Sequence, residues 1–299
     1  MVCMVLDTTP CCQFHSKRYQ RVSTWVQAWV APHLYHRVVL RDEFAAYSFL
    51  QAMASERVPL LRTFVHTLVV SRVRYTWYHF KAVEQDETCE AKFEAEGYYP
   101  DGPYASQIFQ ILQCLNDPTC RQSWQNLLVN QGLLPGVETT TCLLPPQLTI
   151  TGVGEIYWAH LDFSNVRQLR FPDYMIPFNR ARHIWTQFPS LTHLGMVVYT
   201  DPPIARRVVE VLLQSQTLER LAVVILPLPS APSNAVRSMG NAIYRGLLEV
   251  DDERLVVLEE EISILKMLRQ PDGVPFWRMV DKVAEHVKEN GKNRSFHVL

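Results

Sequence analysis

The residues best suited to chemistry in this chain are a few histidines and cysteines and one recurring polar position. Their spacings limit what they can do. His33 and His36 could share a zinc ion, with Cys114 and Cys120 adding sulfur. The two histidines straddle a helix-to-strand junction, however, where successive side chains diverge, so surface or half-buried histidines are expected. Cys11 and Cys12 are adjacent, and neighbouring thiols rarely reach one tetrahedral metal. Gly152 and Gly154 form a fragment of a dinucleotide loop without its third glycine. No G-x-S-x-G, G-x-x-x-x-G-K or H-E-x-x-H occurs. The expectation is a chain with no catalytic residues, no cofactor and no metal.

The recurring polar position sits in a fixed setting. Val166, Leu169 and Phe171 follow the pattern apolar-x-x-apolar-x-apolar, as do Leu191, Leu194 and Met196, and Leu218, Leu221 and Val223. The phrases start about 25 and 27 residues apart, a period typical of stacked strand-plus-helix units. Val65, Leu68 and Val70 match well, and Tyr35, Val38 and Leu40 loosely. The third slot points away from the apolar anchors. It holds Arg37, Thr67, Gln168, His193, Arg220 and, if the strand at 255–258 belongs, Arg254. Stacking would align these residues at strand spacing, roughly 4.8 Å between neighbours. Arg37, Gln168, His193 and Arg220 are therefore the candidate partner-binding row, suited to an acidic segment; a solvated sheet face is the alternative. The fifth slots Val39, Val69, Gly195, Ala222 and Val256 are apolar or small, with only Arg170 polar. That predicts partial cover over the same face, as in a doubly covered parallel sheet.

The elements that must position this row follow from periodicity. Val22, Trp25, Val26 and Trp29 form one helical stripe, ended by Pro32. A helix from Glu43 to about Ala54 carries Phe44, Tyr47, Phe49 and Leu50, so 35–70 reads as strand, helix, parallel strand. The pattern then breaks. Residues 84–96 carry six acids against Lys92 and read as a solvated loop or an acidic docking site. Helices are expected over Tyr104–Leu115 and Cys120–Asn130. Asp201 and Pro202 open a helix with Ile204, Val208, Val211 and Leu212 inward. A terminal helix with Phe276, Trp277, Val280, Val283 and Val287 should cap the stack.

Bulk composition excludes several classes. The chain has 299 residues, 47% hydrophobic and 20% charged, with formal net charge -1. That balance gives no footprint for nucleic acid or an anionic membrane. Seven cysteines without a C-x-x-C pair read as reduced thiols, hence a cytoplasmic or nuclear location. No stretch approaches the ~20 apolar residues of a transmembrane helix. The N-terminus lacks signal-peptide order, because Lys17, Arg18 and Arg21 follow the apolar start instead of preceding it.

The phrases resemble irregular leucine-rich repeats over roughly 35–70 and 148–258. The consensus asparagine or cysteine is replaced by Tyr174, Tyr199 and Leu226, so no asparagine ladder can form. Val22, Ser23 and Trp25, then Pro32, Leu34, Tyr35, Val38, Val39 and Leu40, look like the exit of the F-box in fungal F-box/leucine-rich-repeat-like proteins. The resemblance implies an α/β fold, an irregular leucine-rich-repeat-like solenoid with parallel strands and helical linkers. In that family the F-box binds the Skp adaptor of a cullin ubiquitin ligase, and the repeats recruit substrate. The opening Leu-Pro-x-Glu segment has no counterpart before Val22, which implies a truncated or lost F-box and weak Skp binding. Trp25 and Trp29 would be the remnant adaptor face, or simply cover for the first repeat. The expected organisation is a loose N-terminus with that remnant helix over 1–34. A repeat domain follows over 35–299, with an insertion at about 71–147 and a C-terminal capping helix. The expected function is a non-enzymatic protein-interaction scaffold. Its expected partner is a protein, an acidic one if the charge of the row decides. The alternatives are a working F-box adaptor completed by residues 1–21, and an α/β enzyme with an unrecognised site.

Overall fold

The structure is a computed structural model that describes residues 33, 35–40, 43–54, 61–70, 103–118, 120, 123–130, 142–151, 161–173, 175–199, 201–226, 233–259, 262–270 and 273–290. The helix expected over 19–30, with Trp25 and Trp29, and the acidic run at 84–96 lie outside the described residues. The chain is α/β and divides into two compact units, Met1–Pro145 with Gly154–Asp162, and Pro146–Val153 with Phe163–Leu299.

In the first unit β1 (Arg37–Leu40), β2 (Thr67–Val70) and β3 (Asn126–Asn130) run parallel in that order. Helix α1 (Glu43–Ala54) and the short α2 (Leu61–Phe64) connect β1 to β2; α3 (Pro103–Leu115) lies between β2 and β3. α1 packs on α3. The buried stripe of α1 is Ala45, Ala46, Phe49 and Met53. Phe44 and Tyr47, expected inside, are more than half exposed. β3 replaces the helix expected over Cys120–Asn130. Trp124, Leu127 and Leu128 fall at helical spacing, but a short apolar run is ambiguous by periodicity alone. Pairing decides it, with Leu68 opposite Leu127 and Val70 opposite Val129. The segment read as an insertion thus supplies a strand to the unit's sheet. A two-residue parallel pair, β4 (Cys142–Leu143) with β6 (Leu161–Asp162), also belongs here.

The second unit holds β5 (Gln147–Thr151), β7 (Gln168–Phe171), β8 (His193–Val198), β9 (Arg220–Ile225) and β10 (Leu255–Glu259), all parallel and in that spatial order. The three phrases are consecutive neighbours. The linkers are helical: α4 (Phe178–Ala181) and α5 (Ile184–Gln187), then α6 (Pro202–Leu212), then α7 (Ser233–Leu248). Pro202 occupies the first turn of α6, where its missing N–H costs nothing. Asp201 stands at the N-cap but caps through its backbone carbonyl, which accepts from Ile204 and Ala205. The buried stripe is Ala205, Val208, Val209 and Leu212, with Ile204 exposed. α7 touches β9 and β10 and packs on α6.

Alternation along the strands splits them into two faces. Leu194, Met196, Leu221 and Val223 are fully buried on one. Val197, Ala222, Val224, Val256 and Leu258 on the other pack against α8 (Ile262–Leu268) and α9 (Val274–Asn290), around Leu268, Phe276, Trp277, Val280 and Val283. The terminal helix therefore lies across the fifth-slot face of the sheet. Gly195 records how close it comes, since a Cβ there would stand 3.0 Å from Phe276 Cε1.

Candidate functional site

In the second unit Gln168 pairs with His193, and His193 with Arg220. Gln147, opposite Gln168, extends the row. Each opens its strand, so the row lies at the amino ends of the sheet, and each side chain is half-buried. The carboxyl ends of three of these strands, Phe171, Val198 and Ile225, are buried and apolar.

The cover is α9. Trp277 meets the His193 ring edge-on, with centroids 5.1 Å apart. Asp281 Oδ1 lies 3.6 Å from Arg220 Nε, an ion pair just beyond hydrogen-bonding distance. Arg220 Nη1 donates to Glu219 O at 3.0 Å. The carboxylate facing the row's arginine thus belongs to the same chain.

His193 is the titratable group of the row. Its Nδ1 is 2.8 Å from Thr192 Oγ1, which lies 3.2 Å from Arg167 O. Thr192 Oγ1 thus bridges the imidazole and a backbone carbonyl, and the tautomer of His193 follows whichever of the two takes the hydroxyl proton. Burial lowers the His193 pKa below the ordinary 6.5; Glu219 and Asp281 oppose the shift, and Arg220 adds to it. A depressed folded-state pKa contributes stability that is present above the unfolded value and lost as pH falls through the folded one. Acidification below about pH 6.5 should therefore destabilise wild type more than His193→Gln. Urea midpoints at pH 7.5 and 5.5 check this, and parallel shifts in the two proteins would refute it.

The strand at 255–258 belongs in register, with Leu255 opposite Leu221. Its third-slot residue is committed elsewhere. Arg254 pairs with Asp252 at 2.7 Å and donates to Leu213 O at 2.6 Å, Ser215 O at 2.7 Å and Leu218 O at 3.4 Å.

Arg37 lies in the first unit, in a second row with Thr67 and Asn126. Arg37 is exposed; Thr67 and Asn126 are buried. Asn126 Nδ2 donates to Thr67 Oγ1 at 3.2 Å and lies 3.2 Å from His66 Nδ1. His66 stacks on His36, centroids 4.5 Å apart and planes 9° from parallel. Stacked rings cannot both aim an in-plane lone pair at one zinc at about 2.0–2.1 Å, so this pair is a packing feature. Sequence reasoning misses Asn126, Asp281 and the contact of Trp277 with the row. Only the small fifth slots hint at the cover. No protein-family model matches the chain, and neither a curated protein nor a solved structure does.

Proposed function

We propose that the chain is a non-catalytic protein-interaction scaffold, leucine-rich-repeat-like and related to the substrate-recruiting part of F-box ubiquitin-ligase receptors, acting in the cytoplasm or nucleus. The observation that carries the reading is register. Three sequence phrases separated by helical linkers align Gln168, His193 and Arg220 slot for slot, the regularity of stacked strand-plus-helix units, whose extended surfaces bind partners; α9 covers this row, so the partner's surface lies elsewhere on the unit. The apolar carboxyl ends at Phe171, Val198 and Ile225 also favour a binder. In open α/β sheets the crevice outside the strand carboxyl ends is where enzymes gather polar groups.

No helix of the described residues is long and apolar enough to cross a membrane. Skp-adaptor binding should be weak, because a specific interface of order 1,200 Å² or more needs several helices. Affinity purification of the tagged full chain with mass spectrometry tests the scaffold. A reproducible, stoichiometric protein partner supports it, and its absence refutes it. Tight, saturable binding to purified Skp adaptor that Trp25→Ala abolishes would establish a working F-box receptor instead.

A further inference from the structure

Among the described arginines of the second unit, four face carboxylates, several others are exposed without one, and two of these share an aromatic ring. Arg220 faces Asp281, Arg254 faces Asp252, Arg206 faces Glu210 and Glu249, and Arg269 faces Asp173. Arg182 and Arg207 are exposed and have no acidic partner among the described residues. Both are nevertheless held. The guanidinium carbon of Arg182 lies 4.8 Å from the centroid of the Phe178 ring, and that of Arg207 lies 5.3 Å from it. Phe178 is itself half-buried where α4 meets α6. The two guanidinium groups are therefore within about 10 Å of each other, one Debye length at 0.1 M salt. Cation–π attraction to the shared ring holds each of them in place. The combined effect is to keep two like charges near one point without a counter-charge, so less side-chain entropy remains to be lost on binding an anion.

We propose that Arg182, Phe178 and Arg207 form the docking site for an extended acidic protein segment. In such a segment carboxylates at i and i+2 lie on one face roughly 6.6 Å apart, a spacing inside the about 10 Å limit on the separation of the two guanidinium groups. A nucleic-acid backbone fits less well, since it is held by a track of cations along its length and not by two. The proposal rests on the scaffold reading and places its acidic partner on the helical layer, away from the sheet row whose arginine Asp281 already faces.

The test uses the full chain and a fluorescein-labelled peptide of four Asp-Ala repeats, followed by anisotropy. The Arg182→Gln/Arg207→Gln double variant should bind about tenfold or more weakly. Phe178→Leu keeps apolar bulk but loses the ring face, and should bind about threefold more weakly. Added salt should weaken wild-type binding, and Arg220→Gln should leave it unchanged. Undetectable wild-type binding, unaltered binding by the double variant, or loss with Arg220→Gln would overturn the site. So would tighter binding of an oligo-dT of equal charge, which would make the surface a nucleic-acid one. A partner that co-purifies and is retained by the double variant overturns this site and leaves the scaffold reading intact. Failure to co-purify any partner counts against the scaffold alone.

Discussion

Replacing Gly273 by alanine should destabilise the second unit by roughly 3–5 kcal/mol, which makes it one of the most damaging single substitutions available there. Two costs combine. Gly273 has φ +59, where an L side chain is disfavoured by about 1–2 kcal/mol. A Cβ would also stand 2.7 Å from Arg170 Cζ and 2.8 Å from its Nη2. The far end of an arginine usually moves aside, but this one is anchored. Arg170 is 1% exposed and its Nη1 donates to Leu268 O at 3.2 Å and Gln270 O at 2.5 Å. Retreat forfeits bonds to a charged donor, each worth about 1.5–3 kcal/mol. At about 2–4 °C per kcal/mol, the far-UV CD melt should fall by roughly 10 °C. Gly240→Ala is the matched control. Gly240 lies within α7, and a Cβ added there would meet nothing within 4 Å. The change should be neutral or stabilising by up to about 1 kcal/mol. Equal effects at the two glycines would refute the account.

Arg170→Ala should be comparably severe. It leaves the buried Leu268 carbonyl and the more exposed Gln270 carbonyl without this donor and opens a cavity between β7 and the end of α8, at a combined cost of roughly 3–5 kcal/mol. Arg170→Met should cost less, because it keeps the stem's volume and removes a buried charge, though the carbonyls lose the same donor. The two sites should also couple. In an Arg170→Met background the guanidinium that a new Cβ at position 273 would strike is gone. Gly273→Ala should then cost only its backbone strain, about 1–2 kcal/mol. Urea unfolding of wild type, the two single variants and the double variant measures the coupling. Strict additivity would show that Gly273 and Arg170 act independently.

Arg170 also shows where sequence reading stops. It stands out as the one polar fifth slot among Val39, Val69, Gly195, Ala222 and Val256, and in the second unit Gly195, Ala222 and Val256 do foretell the cover. Nothing local says that its partners lie at Leu268 and Gln270, about a hundred positions away, because hydrogen-bond partners over that distance leave no periodic trace. The strands of the three phrases are legible because two apolar anchors and alternation fix a register. Asn126–Asn130 is not, because Trp124, Leu127 and Leu128 satisfy helical spacing and only the neighbouring β2 resolves the ambiguity. In α6 the period is right and Val208 and Leu212 are buried as expected, but Ala205 and Val209 complete the stripe in place of Ile204 and Val211. The third-slot row is legible as a row. The charge that answers it, Asp281, is not, since the terminal helix can be recognised as amphipathic without any sign of which surface it will cover.

Arg254 has a consequence for how this chain can be cut. The carbonyls it holds, on Leu213, Ser215 and Leu218, belong to the turn leading into β9, one strand earlier. The turn that starts one strand is thus finished by the residue that starts the next. A fragment ending near residue 250 would keep all of α6 and β9 and still lack the side chain that ties them together. Segments chosen by the repeat period are for this reason poor guides to what folds alone. The segment ending in β9 is completed by its successor, so loss of order at the 255–259 strand should reach β9 and its turn before it is felt by the strands at 147–151 and 168–171.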